Sequence, residues 1–391
     1  MSPGRRVGFL FNHDQVHQVA HSLPVALALA RTGQADVVLA STHPRLTAEI
    51  RRLADGALPA PLVELDLTRP ASRLAAAALD GLAPVRKLLM YGDNLPFFRG
   101  LDVLVVAEKT ALRLKRAPGL ERLRLVHTRH GAGDRAVGFD RASARFDRVL
   151  VSGAKVAERL VAQSGVDPAR IRVVGYPKFD IAGAQPPPRL FADDRPVVLY
   201  NPHGSPHLSS WYAMGRRVLD VFARSARYNL IFAPHVMLFR RPVTISIDKL
   251  AAAFPGCVPR RAREAENILV DLGSPACSDM TYVEAADIYM GDVSSQVYEF
   301  LRRPRPCVFL NPRRRAWRDD PDFLHWRAGR VVEDVAELET ALEQAPGEHA
   351  ARYAGAQREL FAYTFDLTGE PSSERAAAAI LQMIGEARPR G

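Results

Sequence analysis

Short runs of uninterrupted apolar residues alternate along the chain with stretches in which apolar positions recur at helical spacing. Val7 to Phe11 reads as a strand, Val16 to Arg31 as a helix, Ala35 to Ala40 as a strand and Pro44 to Leu53 as a helix. Further strands are predicted at Leu62 to Leu65, Leu101 to Ala107, Leu123 to Thr128, Arg148 to Ser152 and Ile171 to Gly175, with a helix over Ala154 to Ser164. Strands that are apolar throughout and separated by helices predict a parallel sheet buried on both faces.

Pro186, Pro187 and Pro188 interrupt this rhythm and form the strongest linker signal in the chain. The rhythm restarts with strands at Val197 to Tyr200, Asn229 to Ala233 and Asn267 to Asp271, and a helix over Trp211 to Ser225. Met280 to Ala286 and Ser294 to Arg302 follow as helices, Ile288 to Gly291 and Cys307 to Leu310 as strands, and beyond Val335 the pattern is helical, including Arg358 to Phe365 and Ser373 to Gly385. At 391 residues the chain exceeds the roughly 250 to 300 residues at which a single core stops growing. The expected architecture is therefore α/β with two Rossmann-like domains, 1–185 and 190–350, followed by helices over 351–391.

Composition narrows the class without naming a function. With 47% hydrophobic and 25% charged residues the chain is globular, and no uncharged apolar run approaches the roughly 18 residues of a membrane span. The opening apolar run, closed by His13 and Asp14, is too short for a signal peptide core, so a cytoplasmic protein is expected. Cys257, Cys277 and Cys307 form no CxxC pair, which fits a reducing compartment and not structural zinc. The net charge of +10 favours anionic partners such as nucleotide phosphates or an anionic membrane surface, with patches at Arg313 to Arg315 and at Arg260, Arg261 and Arg263. Without interleaved aromatics or a recognition helix, a nucleic acid partner is not expected.

Ligands of open parallel sheets bind beyond the carboxyl ends of the strands, and five polar clusters fall there. After the first strand come Asn12, His13, Asp14, His17 and His21, whose histidines would share a helical face. No partner carboxylate suggests a metal, so cleft lining or capping is the preferred reading. In HTRHGAGDR, His130 precedes the glycine turn of Gly131, which suits an imidazole that removes a proton from a hydroxyl near a phosphate; a histidine bonded within a tight turn is the competing reading. NPHGS places Asn201, His203, Gly204 and Ser205 at the mouth of the second domain's first strand, as a phosphate-side loop. His235 follows another strand, where an ordinary capping histidine is equally expected. The richest segment runs from Ser278 and Asp279 through Asp287 to Asp292, Val293, Ser294, Ser295 and Glu299, with hydroxyls and free N–H groups at a helix start that suit a diphosphate.

His130-Gly131, Pro234-His235 and the series Ser278-Asp279, Asp287, Asp292-Val293-Ser294-Ser295, Glu299-Phe300 together resemble the CDP-glycerol glycerophosphotransferase family, the teichoic-acid and capsule polymer transferases of GT-B fold. The resemblance runs from about residue 125 to 310. It implies two Rossmann-like domains facing a central cleft, an acceptor domain followed by a nucleotide-donor domain, with the C-terminal helices packing back on the first. It implies His130 as general base, His235 polarising the donor pyrophosphate, Ser294 and Ser295 holding donor phosphates, and Ser278, Asp279 and Asp292 shaping the donor pocket. No cofactor or metal is then required, because N–H groups and histidines stabilise the developing charge. The chain departs from the family where Asn201-Pro202-His203-Gly204-Ser205 replaces the usual stretch after the second domain's first strand. Val236 stands where the PH motif has a second proline, and Arg135 is near the place of an expected lysine.

The leading expectation is transfer of glycerol phosphate, or a sugar, from a cytidine-type donor to a polysaccharide or lipid-linked acceptor, with His13, His17 and Glu108 lining the acceptor cleft. A UDP-N-acetylglucosamine 2-epimerase-like enzyme is the second reading and needs cleft carboxylates, for which Glu108, Asp134 and Glu284 are available. A non-catalytic module binding a nucleotide or anionic polymer is the third. Arginine patches at an anionic membrane would each contribute about 1 kcal/mol per residue near the surface.

Overall fold

A computed structural model describes residues 5–56, 58–79, 85–181, 188–246 and 251–386. The linker expected at Pro186 to Pro188 falls largely outside them, since Pro186 and Pro187 are not among the described residues. The described residues within Met1–Gly131, Phe139–Ile181 and Tyr363–Gly391 form one compact unit, and those within Ala132–Gly138 and Ala182–Ala362 form a second.

The first unit is built on seven strands: β1 (Arg6–Phe11), β2 (Asp36–Ser41), β3 (Leu62–Glu64), β4 (Val103–Val106), β5 (Arg124–Thr128), β6 (Arg148–Val151) and β7 (Ile171–Val173). All pair in parallel in the order β3-β2-β1-β4-β5-β6-β7, with Val7 opposite Val37 on one side and Val103 on the other. Successive side chains of a strand point to opposite faces. Phe9, Leu39 and Val105 therefore enter a core shared with helices Val19–Arg31 and Ser372–Gly385, whereas Leu10, Leu104 and Leu125 pack with Phe98 and Phe146 on the other face. Both faces are covered, which is why these strands read as unbroken apolar runs.

The second unit has β8 (Val197–Asn201), β9 (Asn229–Phe232), a short antiparallel hairpin of β10 (Thr244–Ser246) and β11 (Ala251–Ala253), then β12 (Ile268–Val270), β13 (Ile288–Gly291), β14 (Cys307–Leu310) and β15 (Arg330–Val332). Its main sheet is parallel in the order β12-β9-β8-β13-β14-β15. The order reverses between β1 and β4 in the first sheet and between β8 and β13 in the second. At such points diverging connections leave a crevice at the carboxyl ends.

Several elements differ from the pattern read in the sequence. The helix expected from Trp211 begins with a wider π-turn over Trp211–Gly215 and becomes α-helical at Arg216–Arg224. The Trp211 ring lies against Gly215, leaving no room there for a β-carbon. The helix expected over Ser294 to Arg302 shortens to Gln296–Phe300. Strand β15 and the β10–β11 hairpin, whose strands span three residues each, add to the elements expected from the sequence. The return to the first unit falls at Tyr363 rather than at 351, because Gln357 is held in the second unit by Arg305 and the Ala328 carbonyl. Among the described residues no helix is long and apolar enough to cross a membrane.

The returning chain is fastened beside β6. Ser152 Oγ donates to the Thr364 carbonyl at 2.8 Å, and the Asp366 amide donates to the Ser152 carbonyl at 2.8 Å. A β-carbon on Gly153 would stand 2.5 Å from the Thr364 oxygen and 3.0 Å from the Phe365 nitrogen, all backbone atoms that cannot step aside singly. Gly153→Ala is expected to lower stability by about 2 kcal/mol through overpacking. Urea denaturation measures the loss, and hydrogen exchange should show it concentrated in residues 363–386.

Candidate functional site

The switch point of the second unit is organised by one buried carboxylate. Asp292, just beyond β13 and 1% exposed, accepts from the His203 amide at 2.8 Å, the Ser210 amide at 2.6 Å, the Ser210 hydroxyl at 2.7 Å and the Val293 amide at 2.6 Å. Burial raises its pKa, and the donors from Ser210, Val293 and His203 oppose that rise. Its carbonyl accepts from Trp326 Nε1 at 2.7 Å and from His325 Nε2 at 2.8 Å. Asn201, the last residue of β8, ties the adjacent strand ends by donating to the Ala233 carbonyl at 2.6 Å.

His203 is the residue this clamp presents. Its Nδ1 faces the Ser205 amide at 2.9 Å and its Nε2 faces Arg135 Nη1 at 3.1 Å. An uncharged imidazole has one lone pair, and here two donors approach it. Burial pushes the His203 pKa well down, and the neighbouring His235 and Arg135 push the same way. His235 stands beside it, with ring centroids 5.3 Å apart. The Met237 amide donates to His235 Nδ1 at 3.3 Å, which leaves the ring hydrogen on Nε2. Burial, then Arg135, lowers the His235 pKa to about 4. Gly204 lets the loop pass close by, since a β-carbon there would sit 3.3 Å from His235 Nδ1.

Arg135 reaches this place because the segment 132–138 belongs to the second unit. Asp134, 2% exposed, accepts from the Tyr298 hydroxyl at 2.6 Å, the His325 amide at 3.1 Å and His325 Nδ1 at 2.8 Å. The His325 ring thus bridges the Asp134 carboxyl on Nδ1 and the Asp292 carbonyl on Nε2. Gly133 lies over Ser295, where an added β-carbon would be 3.1 Å from the Ser295 β-carbon.

The remaining residues of the long motif have local tasks. Ser294 is buried and its hydroxyl accepts from the Gln296 amide at 3.3 Å, just ahead of a helix of five residues whose dipole is correspondingly small. Ser295 is exposed, and Glu299 is buried within that helix. Ser278 donates to the Pro275 carbonyl at 3.2 Å, and Asp279 accepts from the Thr281 amide and hydroxyl, which starts the helix Thr281–Ala285. Arg313 and Arg315 turn onto the carbonyls of Pro206 and His207 at 2.7 and 2.5 Å, so two members of that basic patch brace the loop after β8.

At the switch point of the first unit the histidines converge. His13 follows β1 and interacts electrostatically with His130, His17 and Lys87; His21 interacts with Lys178, His130, His17 and His13. Burial foremost, then these cations and histidines, lowers the His13 pKa to about 3. Desolvation of the ring, then Arg129, lowers the His130 pKa to about 4 although the residue keeps an exposed face, so the ring is uncharged at neutral pH. His127 is a core residue, stacked on Phe146 at 4.5 Å with Nε2 3.3 Å from the Ala107 carbonyl. Glu108, just after β4, pairs with Lys87 at 3.0 Å, and Lys87 also reaches Asp14 at 3.4 Å. Among the described residues no group of three or more His, Cys, Asp or Glu side chains is arranged to hold a metal. Sequence reasoning passed over Lys87, Tyr91 and His325 as site residues and noted Arg135 only as a substitute for lysine. Lys87, Tyr91 and His325 stand at no strand end and in no recognisable motif, whereas Arg135 closes HTRHGAGDR.

No family model matches the chain, and no curated protein matches its sequence. Solved structures do match in fold. The wall teichoic acid polymerase TagF is 12% identical, covers 98% of this chain and 90% of its own, and gives a TM-score of 0.61. A UDP-N-acetylglucosamine 2-epimerase from Neisseria meningitidis, bound to UDP-N-acetylglucosamine, is 11% identical with a TM-score of 0.57, covering 97% of this chain and 99% of its own. A structure from Listeria monocytogenes described as a UDP-N-acetylglucosamine 2-epimerase is 14% identical with a TM-score of 0.61, covering 97% and 96%. The chain therefore has a GT-B-like fold of two Rossmann-like domains with parallel sheets.

The buried histidines make stability depend on pH. His13, His21, His127, His203 and His235 all have folded pKa values below the ordinary 6.5. Below pH 6.5 the unfolded chain therefore binds more protons than the folded one. The stability present above pH 6.5 is lost as pH falls towards 4, by up to about 1.4 kcal/mol per pH unit for each such group. Urea midpoints measured between pH 7.5 and 4.5 should fall throughout the lower half of that range; a flat profile would contradict the burial of these rings.

Proposed function

We propose that the chain is a nucleotide-dependent transferase that moves glycerol phosphate, or a sugar, from a cytidine-type nucleotide donor to a hydroxyl of a surface-polysaccharide or lipid-linked acceptor. The observation that carries this reading is the surplus of hydrogen-bond donors around His203. The Ser205 amide and Arg135 compete for a single lone pair, and His235 offers a further N–H from Nε2. An anionic oxygen would take the hydrogen left over, which suits a donor pyrophosphate. Among the fold neighbours, TagF has also been solved after soaking with CDPG and the Neisseria enzyme bound to UDP-N-acetylglucosamine, which supports a nucleotide donor.

In this reading uncharged His130 takes the proton of the acceptor hydroxyl, whose oxygen attacks the donor phosphorus or sugar carbon as the bond to the nucleotide phosphate breaks. Negative charge then grows on the leaving phosphate, where Arg135 and His235 stabilise it and Ser205 and Ser295 contribute hydrogen bonds. Ser294 and Asp292 act as positioning residues, as do Asn201 and Gly204. All three carboxylates an epimerase would draw on are occupied, Asp134 by Tyr298 and His325, Glu284 by Arg303 at 3.1 Å and Glu108 by Lys87 at 3.0 Å. Transfer is therefore favoured over epimerisation. An acceptor held at a membrane would place the protein at the cytoplasmic face, where exposed Arg260, Arg261 and Arg263 are suited to anionic lipid.

The test is a thermal-shift screen with CDP-glycerol, CMP, CDP, UDP and UDP-N-acetylglucosamine, followed by turnover of variants. A cytidine-selective shift is expected, with Arg135→Ala weakening donor binding about 10-fold or more through loss of a charge-assisted hydrogen bond. His130→Ala should reduce turnover by about 10²- to 10⁴-fold while leaving donor affinity nearly unchanged. Full activity of His130→Ala would exclude it as the base, and a uridine-selective shift would replace the cytidine donor with a nucleotide sugar.

A further inference from the structure

On the second unit a cavity of about 240 Å³ opens between the turn Trp211–Gly215 and the segment that follows β11, with Arg216, Arg217, Phe254 and Pro255 in its wall. One water needs only about 15 Å³ of such space, so a small molecule fits. His203, His235 and Arg135 take no part in it. Its wall is fixed at two places. Trp211, 3% exposed, stacks on Phe232 with ring centroids 5.1 Å apart and donates from Nε1 to the Pro255 carbonyl at 2.8 Å, which ties the start of the helix to the chain after β11. Arg216 crosses over Gly256, whose φ is +67° and where a β-carbon would collide with Arg216 Nη2. The guanidinium is thus seated against backbone.

The charges of this wall select the ligand. Arg216 has no hydrogen bond or ion pair among the described residues. Arg217 stands 3.9 Å from Asp334, both side chains being more than half exposed, and such a pair contributes little. The cavity lies at the amino end of the helical stretch 211–224, where the backbone dipole adds positive charge. Guanidiniums offer donors and no acceptor, so the occupant must be an anion. One planar fork satisfies a carboxylate, whereas two suit the three oxygens and double charge of a phosphate ester. Phe254, 75% exposed at the mouth, decides what the phosphate carries. Against that ring a hydrated polar group would lose water without gaining a partner, while an apolar group gains burial.

We propose that this cavity binds an apolar phosphate ester, with Arg216 and Arg217 holding the phosphate and Phe254 covering the organic part. The site does not depend on the transferase reading. Two sources share this chemistry, a soluble phosphate ester and the headgroup of an anionic lipid.

The experiment is a ¹⁹F nuclear magnetic resonance titration of the full chain carrying fluorotryptophan, with phenyl phosphate and inorganic phosphate at matched ionic strength. Trp211 reports the cavity, and Trp326, whose Nε1 donates to the Asp292 carbonyl, reports the donor site. Phenyl phosphate is expected to shift Trp211 saturably, leave Trp326 in place and bind about 10-fold tighter than inorganic phosphate. The double variant Arg216→Gln/Arg217→Gln should weaken that binding about 10-fold or more, and Phe254→Ser should bring the two ligands level. All three side chains are exposed, and circular dichroism establishes that the variants fold. A Trp211 resonance that phenyl phosphate leaves unmoved, undiminished binding in the arginine variant, or an unchanged preference over inorganic phosphate in Phe254→Ser would each overturn the proposal. Vesicles of phosphatidic acid in phosphatidylcholine identify the source. Co-sedimentation lost in the arginine variant assigns a lipid headgroup, and any other vesicle result, with phenyl phosphate bound, assigns a soluble ester. A separate titration with CMP, read on Trp326, tests the donor reading, and its failure leaves the cavity's assignment standing.

Discussion

A carboxylate that carries four hydrogen bonds in a dry interior is a fixed point, because losing any one bond leaves an unpaired group behind. Asp292 is such a point in the second unit. It holds the start of the loop after β8, the start of the helix after Ser210 and the turn after β13, while its carbonyl receives Trp326 and His325. Through His325 it is joined to Asp134, and Asp134 fixes the segment that carries Arg135. The placement of His203 and Arg135 side by side is thus a remote result of one buried charge.

The two switch points meet the difficulty of buried polar groups in opposite ways. In the second unit the loop framework around Asp292 is bonded within the protein, and the ring of His203 is met by two donors. In the first unit, His13 and His21 keep ring nitrogens without protein partners, and four histidines crowd together while burial and neighbouring cations discourage protonation. The first arrangement favours negative charge.

How much of this could be read from the sequence follows from the range of the forces involved. Strands such as Val103–Val106 and Ile288–Gly291 were legible because burial on both faces writes an unbroken apolar run into the chain. The places of His203 and His235 beyond the ends of β8 and β9 were legible because the strands before them were. Strand β15 was not, since Arg330 opens it and Glu333 follows it, which leaves Val331 and Val332 alone to carry an apolar signal. Arg135 stands in a legible motif, but its place beside His203 depends on Asp134 meeting Tyr298 and His325, which lie 164 and 191 residues away. Local periodicity carries no trace of such a bond. The short helix Gln296–Phe300 was overextended for the opposite reason, that apolar spacing continues beyond the point where the backbone turns away.

The course of the chain between its two units has a consequence for its gene. The polypeptide passes from one unit to the other at 131/132, 138/139, 181/182 and 362/363. A reading frame cut near residue 181 would encode all seven strands of the first sheet but not the helix Ser372–Gly385 that covers one face of it. The complementary piece would encode the second sheet without Asp134 or Arg135, so His325 and His203 would each lose a partner. Neither half is inheritable as a working module. Shuffling of such proteins by recombination is accordingly confined to exchanges that carry the short 132–138 segment and the C-terminal helix along with their distant partners.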